Sequence, residues 1–393
     1  MNRAYSPVLF APLVLLAAAD CRDETTTPTP TADLAMQLPD LAEPADLATT
    51  TVPDLAGADL APPPAPIEFV VLRMGDGNAA LSSAATAAFL ERRKISDGTI
   101  VGTPLALPTA VAAANKRLTL GGSSIGEGSL NLSVDGKYLL IAGYDADVGT
   151  AAVATTTSAA VNRVIGIING ANTIDTSTAA DFLSGSSIRG ATSTDGKALW
   201  ASGATGTFYT TQGSAAAPVQ LNAVNINMRW PNIFNGQLYV SSASATNRGV
   251  NMIGTGTPKT ATTTTALPGF AAQTASSGYG FVGFDRNAQP GLDVFYVADD
   301  SATASGGGVQ RWSLVAGTWK LDGTINKGLT GGARGLMGYI SGKDVVLLAT
   351  TAETTPRVVS FVDDGTALDM LTAKELAKAA TNTAYRGIAA APQ

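Results

Sequence analysis

The sequence lacks histidine altogether and has one cysteine, and charged residues make up only 14 % of its 393 positions. Without histidine, the chain cannot build Ser-His-Asp or Cys-His nucleophile pairs or imidazole metal sites. The single cysteine, Cys21, excludes a disulfide within the chain, so packing alone must stabilise the fold. Basic residues are scattered, with one cluster at residues 92–94, and the net charge is −6. This composition excludes a nucleic-acid binder that follows the phosphate backbone.

Apolar runs long enough to span a membrane are also missing, but a shorter one lies near the start, from Val8 to Ala19. With Arg3 before it, this run predicts an export signal at residues 1–21. Two processing routes remain open. The segment resembles a bacterial lipoprotein signal, which implies acylation of Cys21 and an outer-membrane lipoprotein. Cleavage after Ala19 by signal peptidase I would instead give a secreted protein with a free thiol.

Residues 22–66 change to threonine, proline, alanine, aspartate and leucine, with the recurring unit (P/A)DLA in PDLAEPADLATTTVPDLAGADLAPPP. No helical or strand period holds across this unit, and prolines interrupt it. The segment therefore cannot bury apolar surface and is predicted to be a disordered linker. A proline-rich chain of this length reaches roughly 100 Å or more at about 3.1 Å per residue. It would hold a folded domain away from a cell surface.

From residue 67 onwards the sequence alternates apolar and small polar residues, which predicts strands. A weak repeat is present: a short strand that starts near a glycine, a tight turn, and a more apolar strand. Its copies are EGSLNLSVDGKYLLIAG, IRGATSTDGKALWASG, MRWPNIFNGQLYVSS, GYGFVGFDRNAQPGLDVFYVAD and ARGLMGYISGKDVVLLATT. Asp135-Gly136, Asp195-Gly196 and Asn235-Gly236 suit two-residue turns in which both residues have positive φ. Residues 372–380, TAKELAKAA, are predicted to form a short helix.

The repeat recurs about every 40 to 60 residues, which is the period of a β-propeller blade. Residues 385–392 look like a first strand without a second, and residues 67–77 include a second strand without a first. Pairing of these two segments would close a six-bladed, all-β propeller over residues 67–393. Seven blades remain the alternative if residues 158–182 contain another. The region resembles the secreted bacterial propellers of the YVTN-like, β-propeller-repeat group, an uncharacterised exported family.

One residue near the start of each first strand is predicted to lie at one mouth of the central channel. In chain order these residues are Glu127, Arg189, Arg229, Tyr279, Arg334 and Arg386. Four guanidinium groups around one opening predict a site for a carboxylate, sulfate or phosphate. In the alternative interpretation, each arginine pairs with Glu127 or a loop aspartate and ties neighbouring blades together. The sequence thus predicts an exported monomer that binds an extracellular ligand or protein partner and not nucleic acid.

A hydrolase of anionic glycans or phosphoesters is the competing prediction. Resemblance to six-bladed sialidases would make Tyr279 the nucleophile and Glu127 its activator, although the turns typical of those enzymes are not matched. Resident cofactors are not expected. Hard oxygen ligands that could hold calcium are available at Asp285, Asn287, Asp293, Asp299 and Asp300.

Overall fold

The computed structural model describes residues 65–393 except residues 225, 274–275 and 288. The predicted export signal, with Cys21, and nearly all of the predicted linker lie outside the described residues. Within them, strands dominate and no α-helix occurs. Four short 3-10 helices lie in loops, at Val153–Thr155, Phe270–Ala272, Thr303–Ser305 and Leu368–Met370. None of these described helices is long and apolar enough to cross a membrane.

Six antiparallel sheets of four strands form the blades, numbered here in chain order. Blade 1 consists of β6 (Leu130–Leu132), β7 (Tyr138–Tyr144), β8 (Arg163–Asn169) and β9 (Ile174–Ala180). Blade 2 consists of β10 (Ile188–Ser193), β11 (Ala198–Gly203), β12 (Gly206–Thr211) and β13 (Val219–Gln220). Blade 3 consists of β14 (Met228–Phe234), β15 (Gln237–Ser242), β16 (Gly249–Ile253) and β17 (Thr264–Ala266).

The remaining three blades follow the same order from the inner to the outer strand. Blade 4 consists of β18 (Gly278–Phe284), β19 (Val294–Asp299), β20 (Gly308–Val315) and β21 (Thr318–Ile325). Blade 5 consists of β22 (Ala333–Ser341), β23 (Asp344–Thr351), β24 (Arg357–Asp363) and β25 (Lys374–Lys378). Blade 6 combines β26 (Ala384–Ala390) with β1 (Glu68–Met74), β3 (Ala88–Lys94) and β4 (Leu105–Ala106). A small extra pair joins β2 (Ala85–Thr86) to β5 (Leu120–Gly121).

Blade 6 brings together strands from both ends of the described chain. Its inner strand β26 pairs antiparallel with β1, from Phe69 opposite Ala390 to Met74 opposite Ala384. β1 in turn pairs with β3 along its whole length. The fold is therefore a six-bladed β-propeller, as predicted, and the seven-bladed alternative is wrong. Residues 158–182 supply β8 and β9, the two outer strands of blade 1.

Two local predictions are also wrong. Residues 374–378 form β25, not a helix, because they complete the outer edge of blade 5 by pairing with β24. Asn235 and Gly236 both have positive φ, but at Asp135-Gly136 and Asp195-Gly196 only the glycine does. At those two turns the aspartate Oδ1 accepts backbone N–H groups on its C-terminal side, from Lys137 and Lys197 respectively. This side-chain bonding closes a different turn.

The apolar core is a ring of six clusters of buried side chains, and each cluster lies between two neighbouring blades. The cluster between blades 1 and 2 contains Leu140 and Leu199, and the cluster between blades 6 and 1 contains Leu72 and Ile141. The other four clusters repeat this arrangement around the ring. The alternation in the sequence explains the pattern, because each blade turns one set of side chains to the blade before it and the other set to the blade after it.

The inner strands approach one another closely around the channel. In five of the six blades a glycine follows the predicted mouth residue, at positions 128, 190, 280, 335 and 387. A Cβ added to Gly387 would overlap the backbone of Gly128 and Leu130, and one added to Gly335 would overlap the carbonyl oxygen of Arg386. Only glycine allows this approach of two backbones. In blade 3 the position holds Trp230, which is buried and whose Nε1 donates to the carbonyl oxygen of Gly126 at 3.1 Å.

Candidate functional site

The predicted mouth residues share one structural position on their strands. In five of the six blades, the inner strand has a register shift against its neighbour at the point where the mouth residue stands. Such a bulge turns a side chain out of the regular pairing. The residues placed in this way are Arg189, Arg229, Tyr279, Arg334 and Arg386. The recurring bulge explains why a sequence repeat could locate them.

Three of the six predicted residues lie together in one cavity. Arg189, Arg229 and Tyr279 line a space of about 460 Å³ at the mouth where the inner strands begin. We call it the arginine cavity. The other lining residues come from the loop before β6 and from the residues just before β10 and β14; they are Ser123, Ser124, Ile125, Gly126, Ser187 and Asn227. None of the described residues that line it carries a carboxylate.

Arg229 is held in place by its neighbours on one side only. Its Nη1 donates to Ser277 Oγ and to the carbonyl oxygen of Gly278, both at 3.0 Å. Its guanidinium carbon lies 3.9 Å from the centroid of the Tyr279 ring, a cation–π contact. Trp230 packs edge-on against the same ring, with 5.9 Å between centroids. Nε and Nη2 of Arg229 donate to no acceptor among the described residues.

Arg189 is anchored in a similar way. Its Nη1 donates to Asn227 Oδ1 at 2.7 Å and to the carbonyl oxygen of Met228 at 3.0 Å. Burial, and then the positive charge of Arg229, lower the pKa of Arg189 below its usual value. Nη2 has no acceptor among the described residues. The two guanidinium groups therefore place positive charge in the cavity without a lining carboxylate to balance it.

Tyr279 supplies a neutral phenol. Burial raises its pKa above the ordinary value, against the opposing effect of Arg229. The hydroxyl is therefore protonated at neutral pH and can donate a hydrogen bond. Its predicted activator, Glu127, makes no hydrogen bond to it, so the nucleophile pair implied by the sialidase resemblance is not assembled in this structure.

Glu127 and Arg386 do not line the arginine cavity. Glu127 is fully buried and accepts hydrogen bonds from the Gly121 N–H and from the Tyr144 hydroxyl, both at 2.8 Å. Arg386 Nη2 donates to the carbonyl oxygens of Gly121 and Gly122, at 2.8 and 2.6 Å. Both side chains thus hold the start of the segment that continues into the cavity wall.

Burial has opposite effects on these two ionisable groups. It raises the pKa of Glu127, although the charge of Arg386 opposes the change. It lowers the pKa of Arg386 to about 10, again against the attraction of Glu127. Arg386 Nη1 is buried without a hydrogen-bond acceptor among the described residues. These two residues fit the interpretation in which mouth residues tie the structure together.

Arg334 also matches that alternative. Its Nε lies 3.1 Å from Asp300 Oδ2, and both side chains are mostly buried. The pair links β22 of blade 5 to the loop that follows β19 of blade 4. The structure thus separates six residues that looked equivalent in the sequence into three that line the cavity and three that stabilise its surroundings.

The five candidate calcium ligands do not form one site. Asp293 precedes β19, whereas Asp299 ends it, so the two groups of ligands lie at opposite ends of that strand. Asp285 accepts the Gly291 N–H, and Asn287 accepts the Gln289 N–H, as turn residues do. Asp299 Oδ2 accepts from Ser276, Ser277 and Gln310. Among the described residues, no three Asp, Glu, His or Cys side chains are grouped for a metal ion.

Sequence reasoning missed the hydroxyl and amide groups of the cavity. Ser123 and Ser124 come from a loop that precedes the repeat, and Ser187 and Asn227 lie two residues before the two arginines. The last two could have been found from this constant spacing. The two loop serines have no counterpart in the other blades, so no pattern in the sequence indicates them.

The comparisons with known proteins assign no family to this chain. No family model and no curated protein matches the sequence. Among solved structures, the chain is similar to one in a nidogen/laminin complex, with 13 % identity, 82 % of this chain and 98 % of that chain covered, and a TM-score of 0.42. A candidate 6-phosphogluconolactonase of Bacteroides fragilis matches with 15 % identity, coverage of 82 % and 97 %, and a TM-score of 0.42.

A third solved structure, the dihydro-heme d1 dehydrogenase NirN in complex with DHE, matches with 11 % identity, coverage of 83 % and 75 %, and a TM-score of 0.39. Identities this low concern the fold and not the activity. The six four-stranded sheets of the structure define the class of protein as a six-bladed β-propeller. The narrower resemblance to the secreted YVTN-like group stays a prediction.

Proposed function

We propose that the protein is an exported binding module that holds a small anionic ligand in the arginine cavity. One observation carries this proposal: Arg189 and Arg229 present unpaired N–H groups to a space of about 460 Å³ that no described carboxylate lines. Both arginines are partly buried, where charge without a counter-ion is unfavourable, and an anion would supply that counter-ion. A rigid propeller suits this role, because its blades hold the two guanidinium groups at a fixed separation.

The chemistry of the lining favours a compact anion that also accepts or donates neutral hydrogen bonds. A guanidinium group binds carboxylate, sulfate or phosphate through two parallel N–H donors. Ser123, Ser124 and Ser187 offer hydroxyl groups that can act as donors or acceptors. Tyr279 adds a neutral hydroxyl next to Arg229.

The export and tethering of this module rest on residues 1–66 alone. Under the proposal, the signal at residues 1–21 directs the chain out of the cytoplasm, and residues 22–66 link it to a lipid on Cys21 or release it as a secreted protein. The propeller then acts as a monomer toward a ligand or partner outside the cell. Metabolic labelling with a fatty acid, compared between the natural chain and Cys21→Ser, distinguishes the two routes.

The hydrolase alternative has less support from the geometry. A hydrolase needs a nucleophile and an acid beside the bound anion. Burial raises the pKa of Tyr279, and the carboxylate of Glu127 is engaged by Gly121 and Tyr144. If the purified protein released product from anionic glycans or phosphoesters, the protein would be a hydrolase and not only a binding module.

Calorimetric titration of the purified protein with sulfate, phosphate, citrate and glucuronate tests the proposal. We expect at least one of these anions to bind, and Arg229→Gln or Arg189→Gln to weaken its affinity about 10- to 100-fold, the usual loss for a charge-assisted hydrogen bond. Affinity should also fall with added salt.

Two other arginines provide matched controls. Arg286→Gln removes the same charge from an exposed loop at the other end of blade 4 and should leave anion affinity unchanged. Arg334→Gln removes a guanidinium that pairs with Asp300 and does not line the cavity, so its effect should be smaller than that of Arg229→Gln. The proposal would be overturned if none of the four anions bound, or if all four variants bound an anion with the same affinity.

A further inference from the structure

The opposite mouth of the channel, where the inner strands end, contains a second and larger cavity. It has a volume of about 710 Å³. We call it the apolar mouth. Five blades contribute to it through the C-terminal halves of their inner strands; the main apolar side chains are Leu132, Val134, Phe234, Val282, Phe284, Leu336, Met337, Ile340 and Ile388. The binding proposal above does not involve it.

Charge is nearly absent from this mouth. Among the described residues that line it, only Asp135 and Asp285 have charged side chains, and both carboxylates accept backbone N–H groups of their own turns, from Lys137 and Gly291. Val134 and Ile340 are 57 % and 41 % exposed, so the apolar lining continues to the protein surface. A concave apolar space of a few hundred Å³ or more is typical of small-molecule sites. The described lining thus disfavours an anion and fits a mainly apolar, neutral ligand.

One buried polar side chain of this mouth has an acceptor that receives no hydrogen bond from the described residues. Asn131 lines the cavity, and only 9 % of this residue is exposed. Its Nδ2 donates to Ser129 Oγ, to the Ala191 carbonyl oxygen and to the Pro231 carbonyl oxygen, at 2.9, 2.7 and 3.1 Å. These three acceptors fix which end of the amide is nitrogen. Its Oδ1 receives no hydrogen bond from any described residue and remains available as an acceptor.

We propose that the apolar mouth binds a neutral, mainly apolar small molecule that donates one hydroxyl or N–H hydrogen bond to Asn131 Oδ1. The apolar body of the ligand is buried against side chains of five blades, which supplies most of the affinity. The donor satisfies the unpaired acceptor and sets the orientation of the ligand. A concave site with its polar group at depth fits a small molecule better than the face of another protein.

Fluorescence titration of the purified protein with β-naphthol and with its methyl ether tests this site. Both probes are neutral and apolar at neutral pH, but only the naphthol carries a donor. We expect one β-naphthol to bind per chain, about 2- to 10-fold more tightly than the ether, as one net hydrogen bond contributes. Ile340→Asp and Val134→Asp should each weaken binding about tenfold or more, because a carboxylate disfavours an apolar neighbour.

The controls separate this site from others. Val362 lies on β24, is 46 % exposed and lines neither cavity. Val362→Asp introduces the same charge there and should leave β-naphthol binding unchanged. Sulfate should not compete, since it would occupy the arginine cavity. Binding that persists in Ile340→Asp and Val134→Asp overturns the site, and equal affinity for the ether overturns the role of Asn131. A dimer that Ile340→Asp dissociates, without naphthol binding, would show a self-association surface instead.

Discussion

Arg189, Arg229, Arg334 and Arg386 occupy equivalent positions on four inner strands but differ in what surrounds them. Arg189 and Arg229 keep N–H groups free toward a cavity, Arg334 is neutralised by Asp300, and Arg386 is buried against carbonyl oxygens. The inner strand fixes where each side chain starts, whereas loops from other parts of the chain decide its role. The repeat in the sequence could therefore predict the positions of these residues but not their functions.

Glu353 offers a test of electrostatics at a single residue, away from both cavities. Burial alone would raise its pKa, but hydrogen bonds from Arg357, the Thr330 N–H and the Thr351 hydroxyl outweigh it and lower the pKa to about 2, from 4.5. Arg357 binds the carboxylate with two nitrogens, Nη2 at 2.6 Å and Nε at 2.7 Å. A lowered folded-state pKa means that this carboxylate stabilises the fold above its unfolded pKa.

We therefore expect Glu353→Gln to lower the free energy of unfolding at pH 7, on the order of 2 kcal/mol for such a partly buried pair. The difference from the natural chain should shrink as the pH falls from 4.5 toward about 2, since the natural carboxylate then becomes protonated. Urea denaturation at several pH values measures it. A difference that stays constant over this range would show that the charge of Glu353 is not what stabilises this loop.

At the scale of strands and turns, the glycines of the inner strands determine how closely the blades meet. Gly387 is the clearest case, because its missing side chain leaves room for the backbone of β6. Gly387→Ala should lower the free energy of unfolding by about 3 kcal/mol or more, the cost of forcing packed backbones apart. Thermal and urea unfolding measure this effect.

Gly323→Ala is the matched control. Its added methyl group would meet only the flexible side chain of Leu368, at 3.2 Å, on an outer strand of blade 4. Its cost should be about 1 kcal/mol or less. Equal losses for Gly323→Ala and Gly387→Ala would contradict the idea that inner strands need glycine for close approach.

Elements with a strong local signal were predictable, and those that depend on a neighbour were not. The alternating strands and the Asn235-Gly236 turn follow from local sequence. Residues 374–378 have helical composition, yet they form β25, since β24 offers an unpaired edge that backbone hydrogen bonds must satisfy. At Asp135 and Asp195, side-chain hydrogen bonds to the backbone selected another turn, which the dipeptide alone does not reveal.

At the scale of the whole molecule, closure of the ring rests on β26. Removal of residues 384–393 deletes this strand, opens the edge of β1 and exposes the cluster around Phe69 and Val71 between blades 5 and 6. We expect the shortened protein to lose cooperative unfolding and to associate through the open edge. Differential scanning calorimetry and size-exclusion chromatography measure both properties, with removal of Gln393 alone as the control. A shortened chain that unfolds like the natural one would contradict this role of β26.

The number of blades could be predicted because each blade repeats one hairpin and because the two chain ends complement each other. The cavities could be predicted only in part. The arginine cavity requires a loop that precedes the repeat, and the apolar mouth arises where ends of five inner strands converge. Such convergence is a property of the ring and leaves no local pattern in the sequence.

The position of β1 also has a mechanical consequence. β1 is the first strand of the described chain, and it lies between β26 and β3, with a ladder of hydrogen bonds on each edge. A pulling force applied to the chain before Glu68 would therefore load an interior strand and not an edge strand. Extraction would have to break two ladders together, so the propeller should withstand tension from its amino-terminal side better than a fold that begins with an edge strand.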